Sequence, residues 1–269
     1  MRQGIAAGLR ALGRPRRAVF VPFVRRVGLR PILLATSAAC LVIALLMWFT
    51  DAAAEGRARS LPRPVIAFFQ HVTDFGLSGW ILVPVAAALV VIALRAAVEP
   101  SRMSRDMLSA LAMRLSFLFL AVAVPGLLVA IVKRMIGRAR PYIHQTTDPF
   151  SYDFFAWKSS WASFPSGHAT TAIAFAMALS MLWPRVWWLG WSYALLIVVS
   201  RVVVGVHFTS DVLGGAFFAI ACVLLIRDYF AARGLVFAHD TANGRISAMP
   251  GPSWRRLRAY LARAIRRGP

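Results

Sequence analysis

The sequence predicts an all-α membrane protein, a six-transmembrane-helix bundle with its active site at the outer membrane–water interface. Three observations carry that expectation. The chain is 59% hydrophobic over 269 residues, where a soluble domain has about 45–50%, and its mean hydropathy is +0.66. Its apolar residues fall into runs long enough to cross hydrocarbon. Its basic residues crowd into alternate connections between those runs.

The first run, Pro31 to Thr50 (PILLATSAACLVIALLMWFT), is uncharged. As a helix rising about 1.5 Å per residue it crosses roughly 30 Å of hydrocarbon. Further runs follow at Gly79–Leu94, Leu115–Val132, Ala169–Trp183, Trp187–Val206 and Val212–Ile226, giving six expected spans. These form one membrane domain, residues 31–226, between a basic N-terminal tail, 1–30, and a basic C-terminal tail, 227–269. Residues 1–30 lack a continuous apolar core, so the first span is expected to serve as the targeting signal. Cys40 and Cys222 lie inside apolar runs and read as small fillers, not as a disulfide pair or a zinc site.

Formal charge is 31 − 10 = +21, almost entirely from Arg. Such a basic excess can signal nucleic acid, but its placement points elsewhere. Arg residues fill both tails, and Arg95, Arg102, Arg105 and Arg114 lie between spans two and three. In a six-span chain all these segments fall on one side, which the positive-inside rule makes cytoplasmic. Both tails are then expected at the anionic inner leaflet of a bacterial inner membrane, with no nucleic-acid partner. The connections after spans one, three and five face outwards. Within the first of these, LPRPVIAFFQHVTDFG reads as an interfacial helix.

Three polar clusters map to that outer side. In KRMIGRARP, Lys133 and Arg140 are seven residues apart. On a continuous helix that is two turns, so both would face one way before Pro141 stops the helix. Arg grips two oxygens of an anion, while Lys acts as a point charge. In PSGH, Ser166 is placed to cap the next span, and the N–H groups of Ser166, Gly167 and His168 would form an anion cradle at its start. His168 beside that cradle titrates near neutral pH. In SRVVVGVHFTSD, Arg201 interrupts an apolar run, which is costly unless it meets an anion. His207 and Asp211, four apart, are spaced for a carboxylate to orient an imidazole.

Taken singly, each cluster also fits a plain structural part: a basic helix end, a capped helix, a His–Asp pair. Together they supply what phosphoryl transfer needs, namely fixed cations for the equatorial oxygens and a proton for the leaving oxygen. His207 would attack phosphorus and His168 would protonate the leaving group, then activate water. No cofactor is expected. A metal is not expected either, because three cations surround the few ligand-type side chains and would repel a divalent ion.

The patterns KxxxxxxRP (Lys133–Pro141), PSGH (Pro165–His168) and SRxxxxxHxxxD (Ser200–Asp211) resemble the signature of the type 2 phosphatidic acid phosphatase superfamily, in that family's order and spacing. The resemblance implies that Lys133, Arg140, Ser166, Gly167 and Arg201 hold phosphate. It implies further that His207 is the nucleophile oriented by Asp211, that His168 is the acid, and that no metal takes part. It also implies a lipid phosphate substrate: a lipid diphosphate such as undecaprenyl diphosphate, phosphatidylglycerophosphate, phosphatidic acid or lipid A. A phosphotransferase on the same site is the alternative within the family. Soluble haloperoxidases share the pocket, but six spans argue against that use. A transporter would place its ionisable groups near the midplane. The motifs bind only the phosphoryl group and do not rank the substrates. His71, Asp74, His144, Asp153 and Lys158 lie on the outer connections as weaker candidates for selectivity, and His239 is assigned no role.

Overall fold

A computed structural model describes residues 13–15, 23–143, 148–240 and 244–266. Most of the basic N-terminal tail and His144 lie outside the described residues. The described residues are mostly helical, with one small hairpin. A short helix α1 (Phe23–Val27) leads into α2 (Leu29–Phe49), followed by α3 (Asp51–Arg59), α4 (Arg63–Asp74), α5 (Gly79–Val98) and α6 (Arg102–Ile136). After a long connection come α7 (Gly167–Leu182), α8 (Trp187–Val203) and α9 (Thr209–Ala232). Strands β1 (Phe237–His239) and β2 (Ile246–Ala248) pair antiparallel, and α10 (Trp254–Arg266) follows.

Among the described residues, five helical segments are long and apolar enough to cross a bilayer: Leu29–Phe49, Arg63–Val98, Arg102–Ile136, Pro184–Val203 and Thr209–Ala232. The expected fourth span differs. Helix α7 has 16 residues, about 24 Å at 1.5 Å per residue, so it falls short of the hydrocarbon thickness. It does not need to match lipid, because nine of its residues are buried in the protein. Ala169, Ala172, Ala174, Ala176 and Ala178 keep its surface thin, so α6, α8 and α9 pack closely around it. By contrast no residue of α2 is buried. Leu34, Leu41 and Trp48 on α2 and Val83 and Val90 on α5 face outwards, as lipid-contacting helices require.

Helix α6 begins at Ser101, whose hydroxyl accepts from the Ser104 N–H, and ends at Gly137. Gly137 has φ +61°, and a Cβ there would lie 1.6 Å from the Asp153 carbonyl oxygen. Only glycine fits, since both the left-handed backbone and the close approach exclude a side chain. The connection then folds on itself. Asp153 N–H donates to Gly137 O at 2.7 Å, Ala139 N–H to Ser151 O at 2.9 Å, and Arg140 N–H to Ser160 O at 2.9 Å. This overturns the expectation that a helix carries Lys133 to Arg140 and stops at Pro141. The break comes at Gly137, and Arg140 belongs to the loop.

At the opposite end, α9 runs past the expected end of the last span, and Phe230, Val236 and Phe237 join the main core. The described part of the C-terminal tail is structured. Tyr260 of α10 packs with Ile92 and Leu108, and Arg114 Nη2 donates to Met249 O at 2.6 Å. Arg26 pairs with Asp228 at 2.9 Å.

Gly137→Ala is expected to destabilise the fold by at least about 1–3 kcal/mol, from the left-handed backbone alone. In a thermal-unfolding measurement on the detergent-purified protein this appears as a fall in Tm of at least about 3 °C. An unchanged Tm would contradict the role given to this turn.

Candidate active site

Six pieces of chain deliver the expected site residues. Lys133 lies in the last turn of α6, Arg140 in the loop after it, and Ser166, Gly167 and His168 at the start of α7. Arg201 ends α8, His207 sits in the turn to α9, and Asp211 is the third residue of α9. They converge. His168 is within electrostatic reach of Arg201, His207, Arg140 and Lys133, and Lys133 within reach of Arg140 and Arg201. Of the weaker candidates, His71, Asp74, Asp153 and Lys158 are exposed, though Asp74 acts on Arg201 through its charge. His239 lies on β1, beyond the C-terminal end of α9.

The start of α7 departs from expectation in two ways. The Ser166 side chain makes no capping bond. Its N–H is also taken, donating to the backbone oxygen of Asp211 at 2.9 Å. The cradle is therefore left to Gly167, His168 and the next residue, whose N–H groups have no acceptor within the helix. Ser166 Oγ instead is buried without a partner, as are Arg140 Nε and Arg201 Nε. Arg201 is held from the far side, its Nη1 donating to Thr73 Oγ1 at 2.5 Å.

His207 is 3% exposed. Its Nδ1 lies 3.5 Å from Asp211 Oδ2, an electrostatic contact too long for a hydrogen bond, and has no hydrogen-bond partner among the described residues. Burial pushes the imidazole pKa down to about 4, against the upward pull of Asp211, and Arg201 and Arg140 push the same way as burial. The ring is therefore neutral at pH 7, as a nucleophile must be.

Behind Asp211 stands a network that sequence reasoning missed. Asp211 Oδ2 accepts from Ser163 Oγ at 2.5 Å and from the Phe208 N–H at 2.9 Å. Its Oδ1 accepts from Arg138 Nη1 at 2.5 Å. The same guanidinium donates through Nη2 to Asp51 Oδ2 at 2.9 Å and through Nε to Pro149 O at 3.0 Å. It also reaches Ser210 Oγ at 2.7 Å and lies over the Phe208 ring, 4.4 Å from its centre. Asp51 closes the circuit by accepting from the N–H and the hydroxyl of Ser210. Arg138, Asp51 and Asp211 are fully buried. Signals for this existed. Asp51 is an acid at the very end of a span, and Arg138 sits at an unassigned position of the first motif.

Arg138→Met strands two buried carboxylates, and loss of one partner of such a pair costs about 3–5 kcal/mol. Chemical denaturation of the purified protein should show a loss of that order, whereas a loss below about 1 kcal/mol would contradict the reading of this network.

The PAP2 superfamily matches residues 114–235, a stretch that contains every expected site residue. The chain is similar to the lipid A 1-phosphatase of Rhizobium johnstonii, at 36% identity over 182 residues, covering 67% of this chain and 74% of that protein. It is also similar to the lipid A 1-phosphatase of Rhizobium etli, at 34% identity over 197 residues, covering 72% and 83%. Among solved structures, LpxE of Aquifex aeolicus aligns with 62% of this chain and 88% of its own, at 25% identity and a TM-score of 0.44. On the extent of these matches, this integral membrane protein belongs to the PAP2 superfamily.

Proposed function

We propose that this membrane phosphatase removes a phosphate monoester from a glycolipid of the lipid A class, through a phosphohistidine on His207. The observation that carries the reaction is the set of buried, unpaired donors. Arg140 Nε, Ser166 Oγ and Arg201 Nε come from three different parts of the chain and have no hydrogen-bond partner among the described residues. Unpaired buried polar groups are costly, and they persist where a ligand completes them. A phosphoryl group, with several oxygens and at least one negative charge, answers all three. The choice of lipid A rests on the two rhizobial relatives, each named a lipid A 1-phosphatase.

In this mechanism Lys133, Arg140, Arg201, Ser166 Oγ and the first N–H groups of α7 (Gly167 onwards) hold the phosphate oxygens. His207 Nε2 attacks phosphorus as the bond to the sugar oxygen breaks, and Asp211 steadies the positive ring from the Nδ1 side. His168 gives its proton to the departing oxygen. It then takes a proton from water, which attacks the phosphohistidine, releasing inorganic phosphate and restoring His207. The basic segments face the cytoplasm, so the site opens on the outer side of the inner membrane, and the tails meet anionic lipid.

Purified protein in EDTA should release inorganic phosphate from lipid A faster than from phosphatidylglycerophosphate, phosphatidic acid or undecaprenyl diphosphate. A different preference overturns the substrate, and dependence on added metal overturns the mechanism. His207→Ala should abolish turnover, and Asp211→Asn should lower kcat by about 10³–10⁴-fold, as for other His-orienting carboxylates. Near-normal rates in either contradict these roles.

The depressed pKa of His207 fixes the sign of the acid limb. Neutral imidazole is the active form, so it persists until pH falls through about 4. With the ionisation of the substrate divided out, kcat/KM should not fall between pH 7 and 5, where His207 stays neutral and the acid, His168, gains protons. A limb near 6.5, the ordinary histidine value, would contradict the burial of this ring.

A further inference from the structure

We propose that a cavity beside the phosphate site is a subsite for an uncharged sugar on the leaving-group side of the scissile bond. This rests on the reading of the chain as a phosphatase of lipid phosphates and deepens it. The cavity measures about 550 Å³, and Glu55, Arg59, Ile66, Tyr142, Val203 and Gly205 are among its walls. A ligand pocket commonly holds about 300–1,000 Å³.

Several of its walls adjoin phosphate-site residues along the chain. Tyr142 follows Arg140 and Pro141, while Val203 and Gly205 lie between Arg201 and His207. The remaining wall, from α3 and α4, is fixed to the site at both ends: Asp51 binds Arg138, and Thr73 binds Arg201. Arg59 Nη2 adds a third tie, donating to Pro141 O at 2.9 Å. On this proposal, a group bonded to a phosphate held by Arg140 and Arg201 reaches into this cavity.

The lining chemistry selects the occupant. Glu55 is 4% exposed and accepts from Arg59 Nε at 2.7 Å. The pair is neutral overall, so it does not draw a second phosphate. Both members hydrogen-bond hydroxyls, the carboxylate as acceptor and the guanidinium as donor. Gly205, at φ +68°, lies against the carboxylate, since a Cβ there would be in van der Waals contact with its two oxygens at 3.7 and 3.8 Å. Ile66, Val203 and the Tyr142 ring offer apolar faces for the C–H side of a sugar ring. This mixture fits a glycosyl headgroup and serves a diphosphate poorly.

The test uses purified full-length protein with Ile66→Trp, which fills the cavity, and Tyr142→Ala, which removes one of its faces. Each is assayed on lipid A, undecaprenyl diphosphate and p-nitrophenyl phosphate. The expected result is a rise in KM for lipid A of at least tenfold relative to p-nitrophenyl phosphate in at least one variant, with undecaprenyl diphosphate tracking p-nitrophenyl phosphate. If both variants leave lipid A unaffected, or weaken all three substrates by the same factor, the proposal is overturned. If the unaltered protein hydrolyses none of the three, the phosphatase reading fails instead.

Discussion

Arg138 is a buried cation that two buried carboxylates share, and the outer half of the molecule is organised around it. A guanidinium removed from water needs opposite charge and filled hydrogen bonds, or it unfolds its surroundings. Here it takes Asp51 from the start of α3, Asp211 and Ser210 from the start of α9, and the Pro149 carbonyl from the long connection. Three segments far apart in sequence are thereby locked to one point. Asp211, fixed on this side, is left facing His207 with its other oxygen. The network carries one net negative charge (−1 + 1 − 1), and the proposed phosphohistidine, with its positive ring, would sit beside it.

On the other side of His207 the arrangement reverses. Arg140 and Arg201 keep buried nitrogens without partners, and Ser166 keeps a buried hydroxyl without one. The fold satisfies Arg138 fully, yet leaves these three groups open, as donors available to an anion. Thr73 holds Arg201 by one nitrogen only, which positions the side chain and leaves the rest available. Electrostatic preorganisation of this kind stabilises charge that develops during reaction, because the dipoles and cations are already in place.

Much of this was legible in the sequence, and the rest was hidden for physical reasons. The apolar runs announced a membrane protein because hydrocarbon imposes length and composition. His168, Arg201, His207 and Asp211 were legible because ionisable groups among apolar residues are expensive without a purpose. The continuous helix from Lys133 to Arg140 was wrong, since spacing says nothing of the carbonyl of Asp153, which forces a break at Gly137. The cap at Ser166 was wrong because its Oγ accepts no helix N–H, and its place in the cradle was wrong because its own N–H is claimed by Asp211 O, a contact across 45 residues of sequence. Asp51 and Arg138 went unnoticed for the same reason: each looks like an ordinary polar residue near a span end until the fold brings them together. Helix α7, the expected fourth span, is shorter than the hydrocarbon thickness, which a helix surrounded by protein has no need to match.

The most direct measurement is rapid-quench labelling with a substrate carrying ³²P at the scissile phosphate, followed by peptide mapping under alkaline conditions that preserve phosphohistidine. The account predicts transient label, stable to base and lost in acid, on the peptide that contains His207. Label on any other residue, or turnover at full rate with no trapped label at any quench time, would contradict it.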